Sequence, residues 1–148
     1  MTAIASDVMM RIAIVDQPID AARILAEVAH PATGATASFL GTVREHNLGK
    51  AVSGIEYAAY AGMAEREMAA IATEASARFA PLRLVVEHRV GTLAVGEVSV
   101  AIAAAHASRA PALEAVHYVI EELKRRVPVW KREHYVDGTR EWVQGVVK

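Results

Sequence analysis

Lys124 and Lys131 are the residues of this chain whose type and spacing most plainly invite chemistry. They lie in the run Leu123-Lys124-Arg125-Arg126-Val127-Pro128-Val129-Trp130-Lys131-Arg132-Glu133. Pro128 lacks a backbone N–H and disfavours helix in the residue before it, so a helix must stop there and an extended segment begin. Two amines on either side of such a break can converge, where they would grip an anion or move protons. At about 100° per residue, Lys124 sits beside Leu123 and one turn beyond Ile120, while Arg125 and Arg126 rotate away. Period-two alternation then places Lys131 on the strand face opposite Trp130 and Arg132. The simpler account is that Lys124, Arg125 and Arg126 only offset the helix macrodipole. The segment alone leaves both accounts open.

Two further stretches carry candidate groups. Arg44, His46, Asn47 and Lys50 share one polar loop directly after a strand, either a solvated connection or a binding loop on a rigid scaffold. His106, Ser108 and Arg109 lie where another strand feeds the longest helix. A helix N-terminus offers free N–H groups and partial positive charge to a phosphate or carboxylate, and Arg109 could add a bidentate grip. Ser108 could equally serve only as the N-cap.

The elements that must position these groups follow from periodicity. Strands are predicted over residues 9–15, 34–43, 52–60, 82–90 and 98–104, and helices over 20–29, 63–79 and 109–127. Ile24, Leu25 and Val28 form the expected buried side of the first helix. Met63, Met68, Ile71, Ala75 and Phe79 form that of the second. In the third, Leu113, Val116, Ile120, Leu123 and Val127 make one apolar stripe. Ala35, Ala37, Phe39 and Gly41 share a face of the second strand. Residues 44–50 read as a loop, 91–96 as a connection, and 129–136 with 140–143 as a hairpin around Asp137-Gly138. Strands and helices intersperse without the regular alternation of a doubly wound sheet. The expected fold is therefore α+β, a single domain over 1–148 with a mixed or antiparallel sheet, two main helices packed on it and a C-terminal hairpin.

Composition narrows the function. Of 148 residues, 53% are apolar and 22% charged, which predicts a globular chain with a real core. Sixteen Lys and Arg against seventeen Asp and Glu give a net charge of −1. That balance argues against bulk nucleic-acid or membrane binding while permitting a local basic pocket. The chain has no cysteine, which excludes disulfides, thiolate metal sites and cysteine nucleophiles. No histidine pair has metal-ligand spacing, and there is no phosphate-binding glycine loop, dinucleotide fingerprint or serine-nucleophile motif, so no metal or cofactor is expected. No apolar run approaches the roughly 20 residues of a membrane span, and the N-terminus lacks the pattern of a secretory signal, so a cytoplasmic location is expected.

Three stretches together resemble the large, catalytic subunit of molybdopterin synthase. They are Phe39-Leu40-Gly41-Thr42-Val43-Arg44-Glu45-His46-Asn47, Tyr60-Ala61-Gly62-Met63-Ala64-Glu65, and Leu123 through Glu133. Leu113-Glu114-Ala115 and His88-Arg89-Val90-Gly91 add weaker agreement, and the likeness is strongest over residues 34–145. The resemblance implies conversion of cyclic pyranopterin monophosphate to molybdopterin by installing a dithiolene. It implies a sulfur donor as well: the thiocarboxylated C-terminal Gly-Gly tail of a small ubiquitin-like partner. The implied assembly is a heterotetramer built on a homodimer of large subunits. The resemblance further assigns Lys124 and Lys131 as the active-site lysines and Arg44 to the substrate-anion pocket, with Thr42 and Val43 beside it. Arg132 and Glu133 follow Lys131 in the same surroundings, and Arg109 sits at the helix start. Ser108 occupies the position where the family has histidine. His106 lies two residues earlier, about 6–7 Å away along a strand, so either residue is a candidate for that role. Arg140 is a candidate for reaching a neighbouring subunit. A competing reading from another class is a non-catalytic adaptor that binds a ubiquitin-like tail; it would not need Lys124, Lys131, Arg44 and Arg109 together.

Overall fold

The computed structural model describes residues 6–144. Nine strands and three helices are found among them, in the order β1 (Met9–Val15), α1 (Ala21–Val28), β2 (Ala35–Thr42), β3 (His46–Asn47), β4 (Lys50–Ala59), α2 (Ala61–Arg78), β5 (Arg83–Arg89), β6 (Gly91–Ala94), β7 (Val98–His106), α3 (Arg109–Arg126), β8 (Val129–Tyr135) and β9 (Arg140–Gln144). The fold is α+β with two sheets. The first has the order β1-β5-β7-β2, with β1 and β5 parallel and the other pairs antiparallel. In the second, β3-β4-β8-β9 run in order and β6 pairs with β4.

The first sheet is covered on both faces, which is why β7 is almost continuously apolar and β5, though it carries Arg83 and Glu87, is buried along most of its length. Leu84, Val86, Val100, Ile102 and Ala104 face α2 and α3, meeting Met68, Ile71, Ala115, Val119 and Leu123 in the main core. The alternate residues Val85, Ala101, Ala103 and Ala105 face α1, against Ile24 and Val28. Asp20 starts α1 by accepting the Arg23 N–H at 3.1 Å. At its other end, the buried Arg83 side chain donates to the carbonyls of Val28 (2.8 Å) and Glu27 (2.9 Å), which have no partner within the helix. Glu87, also buried, is held by Arg11 at 2.6 Å and Arg23 at 3.1 Å.

The three expected helix faces are buried in the main, with one outlier apiece. Leu25, Met63 and Leu113 are exposed at 40%, 54% and 60%. In α3 the buried face runs through Ala112, Ala115, Val116, Val119 and Leu123. In α2 it runs through Ala64, Met68, Ile71 and Ala75. Small alanines let helix and sheet backbones approach closely, and hydropathy alone undervalues them beside a leucine one position away.

Two strands lie where connections were expected. Within the Arg44–Lys50 loop, His46 and Asn47 pair with Ala51 and Lys50. Leu48 and Gly49 turn this hairpin with φ of 52° and 80°, the double left-handed conformation of a tight hairpin turn. Residues 91–94 pair with β4 opposite β8, and an added Cβ on Gly54 would meet the Leu93 carbonyl oxygen at 2.8 Å. The expected C-terminal hairpin is present as β8 and β9, but it joins β4 rather than standing apart. No described helix is long and apolar enough to cross a membrane.

Candidate active site

The site lies where the end of α3 meets β4 and β8. The Val127 N–H closes α3 by donating to the Leu123 carbonyl at 3.1 Å, and the chain is extended again by Val129. Lys124 is thus in the last turn of α3, and Lys131 is on the adjoining strand. Antiparallel pairing of β8 with β4 sets Lys131 opposite Tyr57 and Glu133 opposite Ile55. These four therefore share one sheet face.

Lys124, Lys131 and Tyr57 line two adjoining cavities. The outer one, about 350 Å³, is also lined by Thr42, Arg44, Asn47, Ser99 and Glu133. The inner recess is narrow, about 50 Å³, with walls that include His88, Val100, Ile120, Leu123 and Val129. The two lysines stand where polar and apolar chambers meet.

A chain of contacts holds the outer rim. Glu133, 1% exposed, accepts from the Asn47 amide nitrogen through both carboxylate oxygens, at 2.7 and 2.8 Å. The Asn47 carbonyl oxygen accepts from Arg44 at 2.9 Å. The Lys131 ammonium lies 3.6 Å from the same Glu133 carboxylate. Asn47 therefore stands between an acid and a guanidinium, and Arg44 is bonded to a neutral oxygen. The lysines differ in their surroundings. Lys124 has no carboxylate within ion-pair distance among the described residues, and its pKa is lowered, first by burial and then by the Lys131 charge. The Lys124 residue as a whole has exposed surface, but its amine borders both chambers, so solvent screens it incompletely. An amine biased toward its neutral form is suited to act as a nucleophile, base or proton carrier.

Other groups are set by strand geometry. A register shift between Gly41 and Thr42 ends the regular pairing of β2 with β7. Such irregularities re-aim side chains beside sites. An added Cβ at Gly41 would meet Val100 Cγ1 at 2.7 Å, so the close approach at this point requires glycine. Tyr57 is half-buried; burial pushes its pKa up, opposed by a hydrogen bond with Ser99. His88 packs edge-on against Tyr57 at 5.4 Å between ring centroids.

The structure thus brings together Thr42, Arg44, Lys124, Lys131 and Glu133 of the expected set. Within one chain it places the others elsewhere. Val43 is 3% exposed and packs with Val52, Ile55, Leu93 and Tyr135, because its side chain alternates away from Thr42 and Arg44. Arg132 alternates away from Lys131, bonding Glu56 at 2.7 Å and lying 4.9 Å from the Trp142 ring centroid. Ser108 and Arg109 lie at the start of α3, the end opposite Lys124, about 22 Å along the helix axis by the rise per residue. Ser108 occupies the N-cap position without a side-chain capping bond. Its N–H instead donates to His106 Nδ1 at 3.0 Å, which ties His106 into the turn. Arg140 is exposed and pairs in register with His134 on β8, outside both cavities. Tyr57, His88 and Ser99 are lining residues that the sequence did not single out. Alternation along 52–60 held the signal for Tyr57, and His88 was legible only as part of a motif.

The profile of the family described as "MoaE protein" matches residues 14–126. A molybdopterin synthase catalytic subunit of Halalkalibacterium halodurans is 42% identical over 133 residues, covering 90% of this chain and 85% of that protein. One from Oryza sativa subsp. indica is 48% identical over 120 residues; the match covers 81% of this chain and 62% of the rice protein. A crystal structure of molybdopterin synthase from Staphylococcus aureus aligns with a TM-score of 0.83 at 31% identity, covering 94% of this chain and 98% of that one. A complex of subunits 1 and 2 of molybdopterin-converting factor from Helicobacter pylori aligns at 0.74 and 21% identity over 89% of each chain, a likeness of fold. With the profile spanning most of the sequence and close relatives spanning nearly all of it, this chain belongs to the MoaE family, the family of molybdopterin synthase catalytic subunits.

Proposed function

We propose that this chain is a sulfurtransferase: the catalytic subunit that turns cyclic pyranopterin monophosphate into the molybdopterin dithiolene. The sulfur would come from the C-terminal Gly-Gly thiocarboxylate of a small ubiquitin-like subunit. The observation that carries this reading is the convergence of Lys124 and Lys131 with Arg44 on adjoining chambers of unlike shape. The outer chamber, about 350 Å³, is in the range of small-molecule sites and has Arg44 available for a phosphate. The inner recess, about 50 Å³, is too narrow for a fused ring but suits a slender chain without side chains.

In this mechanism the thiocarboxylate sulfur displaces an oxygen at a substrate carbon: the new C–S bond forms as that C–O bond breaks, the departing oxygen keeps the electron pair and takes a proton, and an acyl thioester joins tail and substrate. Water then adds to the acyl carbon, and the acyl C–S bond breaks, the electron pair going to the sulfur. The tail leaves as a carboxylate and the sulfur stays on the substrate. Two such deliveries supply the two sulfurs of the dithiolene. Lys124, whose amine is biased toward neutrality, takes the proton from the attacking water. Lys131, paired with Glu133, stabilises the oxyanion formed at the acyl carbon. The absence of cysteine fits a site that handles sulfur carried by a partner.

A central homodimer within a heterotetramer, in the cytoplasm, belongs to the same proposal, and the two-subunit nature of the Helicobacter pylori neighbour supports the small partner. Because Ser108 and Arg109 are remote from the lysines of their own chain, we assign them, with Arg140, to the neighbouring copy's chamber. Titrating the isolated chain with the cyclic pterin phosphate tests the catalytic reading. Saturable binding that Arg44→Ala weakens is expected; no binding would leave an adaptor for a ubiquitin-like tail as the better account.

A further inference from the structure

We propose that His88 Nε2 is the hydrogen-bond acceptor for the last peptide N–H of the carrier tail, fixing how far the tail's acyl carbon advances between the lysines. This rests on the tail-binding reading above and adds the residue that reads the tail.

The ring's hydrogen-bonding sense is set by its backbone. His88 Nδ1 lies 2.9 Å from the Arg89 carbonyl oxygen. A carbonyl can only accept, so Nδ1 carries the hydrogen and Nε2 carries the lone pair. Tyr57, packed edge-on, holds the ring in place. Among the described residues no hydrogen bond to Nε2 is found, and Nε2 is not one of the fully enclosed polar atoms left without a partner, so it is open to the recess. The ring lines the inner recess together with Lys124 and Lys131. Burial first, and the nearby Lys124 charge, hold the His88 pKa down to about 4, with the Arg89 hydrogen bond opposing them, so the ring is a neutral acceptor at neutral pH.

A ligand that engages Nε2 must present a donor inside a recess of about 50 Å³ whose walls, apart from Lys124, Lys131, Tyr57 and His88 itself, are apolar. A fused pterin ring is too wide. A thiocarboxylate or carboxylate is acceptor-only and would be repelled by a lone pair. The N–H of the terminal glycine, separated from its acyl carbon by one Cα, is the donor that fits. A glycine at each of the last two positions keeps the chain slender enough to reach it. With that N–H on Nε2, the acyl carbon is directed toward the two amines at the mouth of the recess.

The test compares two semisynthetic carriers, one ending in Gly-Gly and one ending in glycine-sarcosine, in which an N-methyl group replaces that N–H. Each is titrated against the full-length wild-type chain and against His88→Phe, His88→Asn and His88→Gln. Wild type should bind the Gly-Gly carrier about 3- to 10-fold more tightly than a steric penalty alone would give, the range of one hydrogen bond. His88→Phe measures that steric penalty, because Nε2 is gone. His88→Asn keeps a donor for the Arg89 carbonyl but lacks an acceptor at the Nε2 position, so it should match His88→Phe while folding as wild type does. His88→Gln carries an amide oxygen near that position and should restore part of the preference. An equal preference in wild type and both acceptor-free variants overturns the assignment. So does a loss confined to turnover with carrier affinity unchanged, which would place His88's effect on Lys124. If wild type binds neither carrier, the proposed function falls and this inference with it. Binding without the extra preference defeats this inference alone.

Discussion

Replacing Glu133 with glutamine should disable the outer chamber through a sequence of steps that the geometry specifies. Glutamine has nearly the same shape, so packing around this 1% exposed position is kept. Its amide, however, presents one N–H₂ where the carboxylate presented an acceptor. The Asn47 amide, which reached both Glu133 oxygens at 2.7 and 2.8 Å, then meets a donor with a donor. If Asn47 turns over to relieve this, its N–H₂ faces Arg44 and the 2.9 Å bond from that guanidinium is lost. Lys131, 3.6 Å from the carboxylate, loses its ion-pair partner in the same change. At an effective dielectric constant of 20 that pair has a gross attraction of about 4–5 kcal/mol, much of it offset by desolvation. Loss of charge-assisted hydrogen bonds costs about 1.5–3 kcal/mol. The expected net destabilisation is about 2–3 kcal/mol by urea unfolding, or about 5–10 °C in Tm for a domain of this size. The double variant Asn47→Asp with Glu133→Gln reverses donor and acceptor across the contact. It should recover stability to within about 1 kcal/mol. Arg44 would then face a carboxylate instead of a neutral amide oxygen, so affinity for the pterin phosphate, measured by calorimetry, should stay roughly tenfold below wild type. The reasoning is refuted if Glu133→Gln costs under about 0.5 kcal/mol, or if the double variant is no more stable than the single one.

The lysines should separate by pH and by stability. Lys124 has a folded-state pKa below its unfolded value, so its cost to folding is fully present below the folded pKa and disappears as pH rises toward the unfolded value. Lys124→Met should therefore raise Tm at neutral pH while abolishing turnover; a fall in Tm would contradict the assignment. Lys131→Met removes the like charge that helps lower the Lys124 pKa, so the acidic limb of residual kcat should move to higher pH, and a shift to lower pH would be the wrong sign. On the far face of the first sheet, Glu87→Gln leaves Arg11 and Arg23 without their buried partner and should cost about 2–3 kcal/mol. Activity per folded molecule should be unchanged there, and a loss would tie that network to the site.

The sequence made the local half of this structure legible. Pro128 located the break after α3, and period-two alternation separated Lys131 from Trp130 and Arg132. The same alternation, applied to Val43 and Arg132, would have removed both from the pocket; the family motif grouped them by adjacency in the chain. What stayed hidden depended on long-range pairing. Asn47 meets Glu133 only because β3 folds back on β4 and β8 lies beside it, 86 residues away in sequence. His88 reaches the recess because β5 ends behind the lysines, which no local period reveals. The distance from Arg109 to Lys124 follows from helix length alone. It was obscured because the resemblance drew residues from both ends of α3 into one expected site.

The central claim is that this lysine-centred pair of chambers delivers sulfur from a tail to a pterin. Its most direct measurement is a single-turnover reaction of the purified chain with cyclic pyranopterin monophosphate and thiocarboxylated carrier, assayed for dithiolene product and for carrier carboxylate. The account predicts two carboxylates released per dithiolene formed with wild type, and none with Lys124→Ala at unchanged carrier binding. Near-normal turnover by Lys124→Ala, or carboxylate release without any sulfur gained by the pterin, would contradict it.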